Sequence, residues 1–86
     1  MSRSIKLLIS EKAESFETWL FAEDLSRELQ ASELGVLPMA EADAVKNTLL
    51  IREIKARKLK RCHELIDTLI DRHHMREHVS VQIETS

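Results

Sequence analysis

The sequence predicts an all-α protein: an antiparallel helical hairpin with a long second helix, completed into a bundle by a partner or by a second copy of itself. Three observations carry that expectation. The stretch from Met39 to about His74 contains neither Gly nor Pro. Gly35-Val36-Leu37-Pro38 holds the only Gly and the only Pro of the 86 residues, and it is the one strong turn signal. Charged residues make up 33% of the chain, the apolar residues are mostly Leu, Ile and Ala, and Phe16, Trp19 and Phe21 are the only aromatics. Such a composition favours amphipathic helices.

In chain order, the first helix is expected over about 10–34. Ser10 is placed to cap it, and Glu11 and Glu14 fall in a first turn where the helix dipole favours anions. Gly35 suits the left-handed residue after the helix, and Pro38 follows shortly. The turn is expected over 35–38, the second helix over about 39–74, and a tail over 75–86, all within a single domain. A helix over 39–74 is roughly 54 Å long, whereas a compact chain of this size spans about 25 Å. The second arm therefore overhangs the first from near Cys62, and the stripe Leu59, Ile66, Leu69 and Ile70 needs a cover from elsewhere.

Both ends carry a different pattern. Ile5, Leu7 and Ile9 alternate, and so do Val79, Val81 and Ile83. Period two suggests strands, and two end strands could pair. The reading adopted instead continues the first segment into the helix and leaves the last as a tail, as termini usually are.

The charge of -2 hides an asymmetry. Residues 1–35 are acidic, with Glu11, Glu14, Glu17, Glu23, Asp24, Glu28 and Glu33. Residues 52–61 are basic, with Arg52, Lys55, Arg57, Lys58, Lys60 and Arg61 against Glu53. A basic patch of Arg52, Lys55, Lys58 and Arg61 would suit phosphates, giving a nucleic-acid-binding alternative. No aromatic interleaves these residues for base stacking, so a solvated face paired with acidic groups is the simpler reading.

Catalytic chemistry finds no support. Cys62 and His63 are adjacent and diverge by about 100° on a helix, too far for a thiolate–imidazole pair. No Gly-rich phosphate loop exists. Asp71, His74 and His78 would share a face on a continuous helix and could hold zinc, but His residues also suit helix C-termini. The expectation is no enzyme, no metal and no cofactor. Cys62 is the only cysteine, which excludes an internal disulfide and fits a reducing compartment. No run of about 20 apolar residues spans a membrane. The apolar part of the start is too short for a signal peptide, so a cytoplasmic location is expected.

The second arm reads Lys46-Asn47-Thr48-Leu49-Leu50-Ile51-Arg52-Glu53-Ile54 and later Leu65-Ile66-Asp67-Thr68-Leu69-Ile70-Asp71-Arg72-His73-His74. This resembles the second helix of the small E-type co-chaperones of type III secretion systems, the YscE and SsaE group. The resemblance implies a helical hairpin that docks on a helical-repeat chaperone and keeps a secretion subunit soluble. Independently of it, the apolar faces point to a protein-interaction module. The expected partner-binding residues are Phe16, Trp19, Leu20 and Phe21 on the first arm, and Leu59, Ile66, Leu69 and Ile70 on the second. The rival from another class is a homodimeric helical-bundle regulator or adaptor.

Overall fold

The alternation at the chain ends turns out to be the stronger signal. The computed structural model describes residues 2–34 and 48–85, and the expected turn over 35–38 lies outside them. The fold is mixed α/β. Its elements are β1 (Ser2–Ile9), α1 (Ser15–Ala31), β2 (Thr48–Lys55), a short 3-10 turn (Ala56–Lys58), α2 (Leu59–Arg72) and β3 (Val79–Thr85).

The strands form one sheet in the order β2-β1-β3. β1 is central and antiparallel to both neighbours. β2 and β3 are therefore parallel to each other, with β1 between them and α2 connecting them. Ile5, Leu7 and Ile9 pair with Ile83, Val81 and Val79 on one side. On the other side Ile5 pairs with Ile51 and Leu7 with Leu49. Directly opposed residues share a face, so these side chains make one apolar surface.

Both helices pack on that surface. α1 contributes Phe21, Leu25 and Leu29, at steps of four, and α2 contributes Cys62, Ile66, Leu69 and Ile70. These join the inward residues of β1 and β2 in a single core cluster. Burying each Leu, Ile or Phe fully is worth about 1.5–3 kcal/mol. The opposite face carries Ser4, Lys6, Leu8, Thr48, Leu50, Ser80, Gln82 and Glu84, from the same register, and neither helix covers it.

The all-α hairpin is thus overturned, and with it the hairpin that the co-chaperone resemblance implied. The expected helix over 39–74 contains a strand over Thr48–Lys55, and the α-helix among its described residues is Leu59–Arg72. The expected tail is β3, which pairs along its whole length with β1. The physical reason for the misreading of β2 is a bulge. The β1–β2 register slips between Arg3 and Ile5, so that Arg3 faces Ile54 while Ile5 faces Ile51. Glu53 takes up the slip with φ 60°. The extra residue puts both Ile51 and Ile54 in the core, a step of three that imitates helical spacing.

The helix ends differ from expectation as well. α1 starts at Ser15, not beside Ser10. Its cap is Glu14, whose carboxylate accepts from the backbone N–H groups of Phe16 (3.3 Å) and Glu17 (3.0 Å). Ser10 instead opens a turn, its Oγ accepting from Lys12 N–H at 3.1 Å. α2 ends in a Schellman arrangement built on a histidine. His74, at φ 56°, donates to Asp71 O, and Met75 donates to Ile70 O at 2.9 Å. Met75 and Ile70 are both fully buried, supplying the apolar contact that accompanies this cap. Past α1, Glu33 takes the left-handed position at φ 53°, followed by buried Leu34.

Candidate functional site

The segment Ser10–Glu14 turns the chain from the sheet into α1. It is anchored by Ser10 N–H donating to His78 O at 2.8 Å, which continues the β1–β3 ladder by one residue. This turn aims the first two turns of α1 away from the core. Phe16, Trp19 and Leu20 consequently stand in solvent, 62%, 54% and 38% exposed. Phe16 and Trp19 stack on each other with centroids 6.2 Å apart and planes 20° from parallel. Glu14, Glu17 and Glu23, close to them in sequence, are exposed as well. Behind Trp19 lies a cleft of about 310 Å³ between α1, the Ser10–Ala13 turn and the start of β2. Its walls are mostly apolar, from Ile9, Ala13, Ala22 and Leu49, with Ser10, Glu11, Ser15 and Thr18 at its polar points.

The structure divides the expected partner-binding residues into two groups. Phe16, Trp19 and Leu20 form one exposed patch. Phe21, Ile66, Leu69 and Ile70 are completely buried, and Leu59 is partly buried against the same core. Those four buried residues are corrected from interface to core: the sheet, which the hairpin lacked, is what covers them. The cleft residues Ile9, Ala13, Ala22 and Leu49 were missed. The alternation of Ile5, Leu7 and Ile9 was the available signal, because a strand there brings Ile9 under α1.

The basic patch is also redistributed. Arg52 and Lys55 lie on β2, Lys58 in the 3-10 turn and Arg61 on α2. The chain changes conformation twice across this segment, so the four do not form a helical stripe. Lys58 Nζ donates to Glu33 O at 3.0 Å, tying the end of α1 to the start of α2.

One cluster of titratable residues joins the two helices. Asp24 on α1 accepts from His73 Nε2 at 2.8 Å and from Arg72 Nη1 at 3.0 Å. The His73 hydrogen bond, with the Arg72 hydrogen bond and charge, holds the Asp24 carboxyl below the usual carboxylate range against the opposing effect of burial. The His73 ring meets Phe21 edge-on at 5.9 Å. Arg76 clamps the end of α2 by donating to Asp67 Oδ1 at 2.7 Å and to Asp71 Oδ1 at 2.8 Å. His74 and His78 do not share a helix with Asp71, since α2 stops at Arg72. Among the described residues no group of three or more His, Cys, Asp or Glu comes together to hold a metal ion. No helix among them is long and apolar enough to cross a membrane.

No protein-family model matches the chain, and no curated protein matches it. Among solved structures, the crystal structure of PH0061 is similar over 96% of this chain, with 18% identity and a TM-score of 0.46. The chain spans about half the length of that protein, 50% of which is covered.

Proposed function

We propose that this chain is a non-catalytic protein-docking module whose contact surface is the Phe16–Trp19–Leu20 patch of α1. The observation that carries this reading is the stacked Phe16–Trp19 pair held in solvent. Exposing two large aromatics side by side forfeits burial energy, and Trp anchors are enriched where interfaces concentrate their binding energy. The exposed glutamates of this segment, Glu14, Glu17 and Glu23, favour a partner of matching chemistry: an amphipathic segment with apolar anchors and basic flanks. One apolar side chain of that segment would enter the cleft behind Trp19. The co-chaperone role belonged to a hairpin; the reading kept here is the broader one of partner binding through an apolar helix face.

Trp19 is the only tryptophan, and the chain has no tyrosine, so its emission reports the patch directly. The test titrates the protein with a helical peptide of Leu and Lys patterned on one face. A blue shift is expected, together with at least about tenfold weaker binding for the double variant Phe16→Ser/Leu20→Ser. A peptide of equal composition, scrambled to remove its apolar face, should bind far more weakly. Equal shifts with both peptides, or none with either, would overturn the reading.

A further inference from the structure

Among the described residues β2 and β3 form the two edges of the sheet, and they are unlike. The β2 edge is blunted: it carries the bulge at Glu53 and exposed Arg52, Glu53 and Lys55. Bulges and charges of this kind prevent strand edges from pairing with other chains. The β3 edge has neither device. Val79–Thr85 pairs without a register shift to β1 and alternates Val79, Val81, Ile83 with Ser80, Gln82, Glu84. Its one charged side chain, Glu84, is engaged by Lys6 of the neighbouring strand at 3.3 Å. Ile83 lies on the helix-covered face, opposite fully buried Ile5, yet is 49% exposed.

We infer that β3 pairs antiparallel with β3 of a second copy, about a two-fold axis at Gln82, joining two three-stranded sheets into one of six. Self-complementarity selects the occupant, and the longest overlap selects the register. About Gln82 the strand pairs over its full length: Val81 meets Ile83 of the second copy, and Ile83 meets Val81. The exposed Ile83 is then flanked on both sides by β-branched neighbours, which is the favourable cross-strand combination. On the open face Glu84 meets Ser80, so no like charges are opposed. A slip by one residue would place Val and Ile against polar partners and turn the two helical layers to opposite faces. A slip that moves the axis to Glu84 would set two carboxylates face to face. The isologous arrangement closes after two copies, and each blunted β2 edge then terminates the sheet.

The experiment measures mass in solution by light scattering from about 10 µM to about 1 mM, the range in which a small edge interface dissociates. The wild-type mass should rise toward twice the 10.0 kDa of one chain. Gln82→Lys opposes two ammonium groups at the axis on an exposed position, and should raise the dissociation constant at least about tenfold. Gln82→Cys should cross-link into a covalent dimer under mild oxidation, whereas Ser80→Cys should not; buried Cys62 leaves the background silent. Far-UV circular dichroism checks the fold of each variant, and the cross-link decides the matter if Gln82→Lys does not fold. Phe16→Ser/Leu20→Ser should remain dimeric, which separates this surface from the docking patch. A wild-type chain monomeric at the top concentration would overturn the inference. So would a dimer that Gln82→Lys leaves intact, or cross-linking that is equal at both cysteine positions.

Discussion

His73 Nε2 lies 2.8 Å from Asp24 Oδ2, joining the residue that caps the end of α2 to the middle of α1. With the carboxylate ionised, the imidazole nitrogen is the donor. Arg72 approaches the same oxygen, and Arg27 approaches the other at 3.8 Å. The pair fixes how the two helices meet over the sheet.

Asp24→Asn should therefore destabilise the fold at neutral pH by about 1–2 kcal/mol, the range for a charge-assisted hydrogen bond at a partly exposed site. The pH dependence has a definite sign. The folded Asp24 carboxyl titrates below its ordinary 3.8, so its stabilisation is complete above that value and is lost as pH falls through the lower, folded one. Urea titrations at pH 7 and in the acid range should show the gap between wild type and Asp24→Asn closing on acidification. A gap independent of pH would exclude the carboxylate as its source.

His74→Gly should stabilise the protein by about 0.5–1 kcal/mol, because a left-handed φ is unfavourable for any residue with a Cβ. His74→Val should do the opposite, β-branching making φ 56° more costly still. Denaturation midpoints of the two variants bracketing the wild type are the expected result.

Core and surface apolar residues should separate cleanly. Ile66→Ala removes buried methyl groups beneath the sheet and should destabilise by about 2–4 kcal/mol. Phe16→Ala, on an exposed ring, should change stability by no more than about 0.5 kcal/mol. Thermal melts of both variants check the division. Comparable losses would mean that Phe16 is packed.

Cys62 should resist thiol reagents in the native state. It is fully buried, and burial pushes its thiol up to about 11. The reactive thiolate is therefore scarce and also inaccessible. Labelling at pH 8 should follow opening of the core and run about a thousandfold or more slower than in urea.

Much of this fold was written in the sequence, but in signals of unequal volume. The alternations at Ile5–Ile9 and Val79–Ile83 announced β1 and β3, and the Cys62, Ile66, Leu69, Ile70 stripe announced α2. What misled was punctuation. Three left-handed positions among the described residues, Glu33, Glu53 and His74, are occupied by residues with side chains, so no glycine marks them. The bulge at Glu53 then spaced Ile51 and Ile54 as a helix would. The exposed patch was partly legible, because Phe16, Trp19 and Leu20 exceed what one helix face can bury. Their separation from Phe21 was not legible, since it depends on where the sheet lies.

The pairing of β1 with β3 sets the order in which the chain can fold. Arg3 is opposite Thr85, so β1, which precedes β3 by the length of both helices and β2, waits for β3 before one of its two flanks is closed. Contacts this distant in sequence carry a large loop-closure entropy, and they slow folding relative to a helical protein of equal length. A nascent chain would hold Ile5, Leu7 and Ile9 in an incomplete sheet until synthesis reaches β3. Loss of β3 therefore removes a partner of the centre of the sheet rather than trimming its margin.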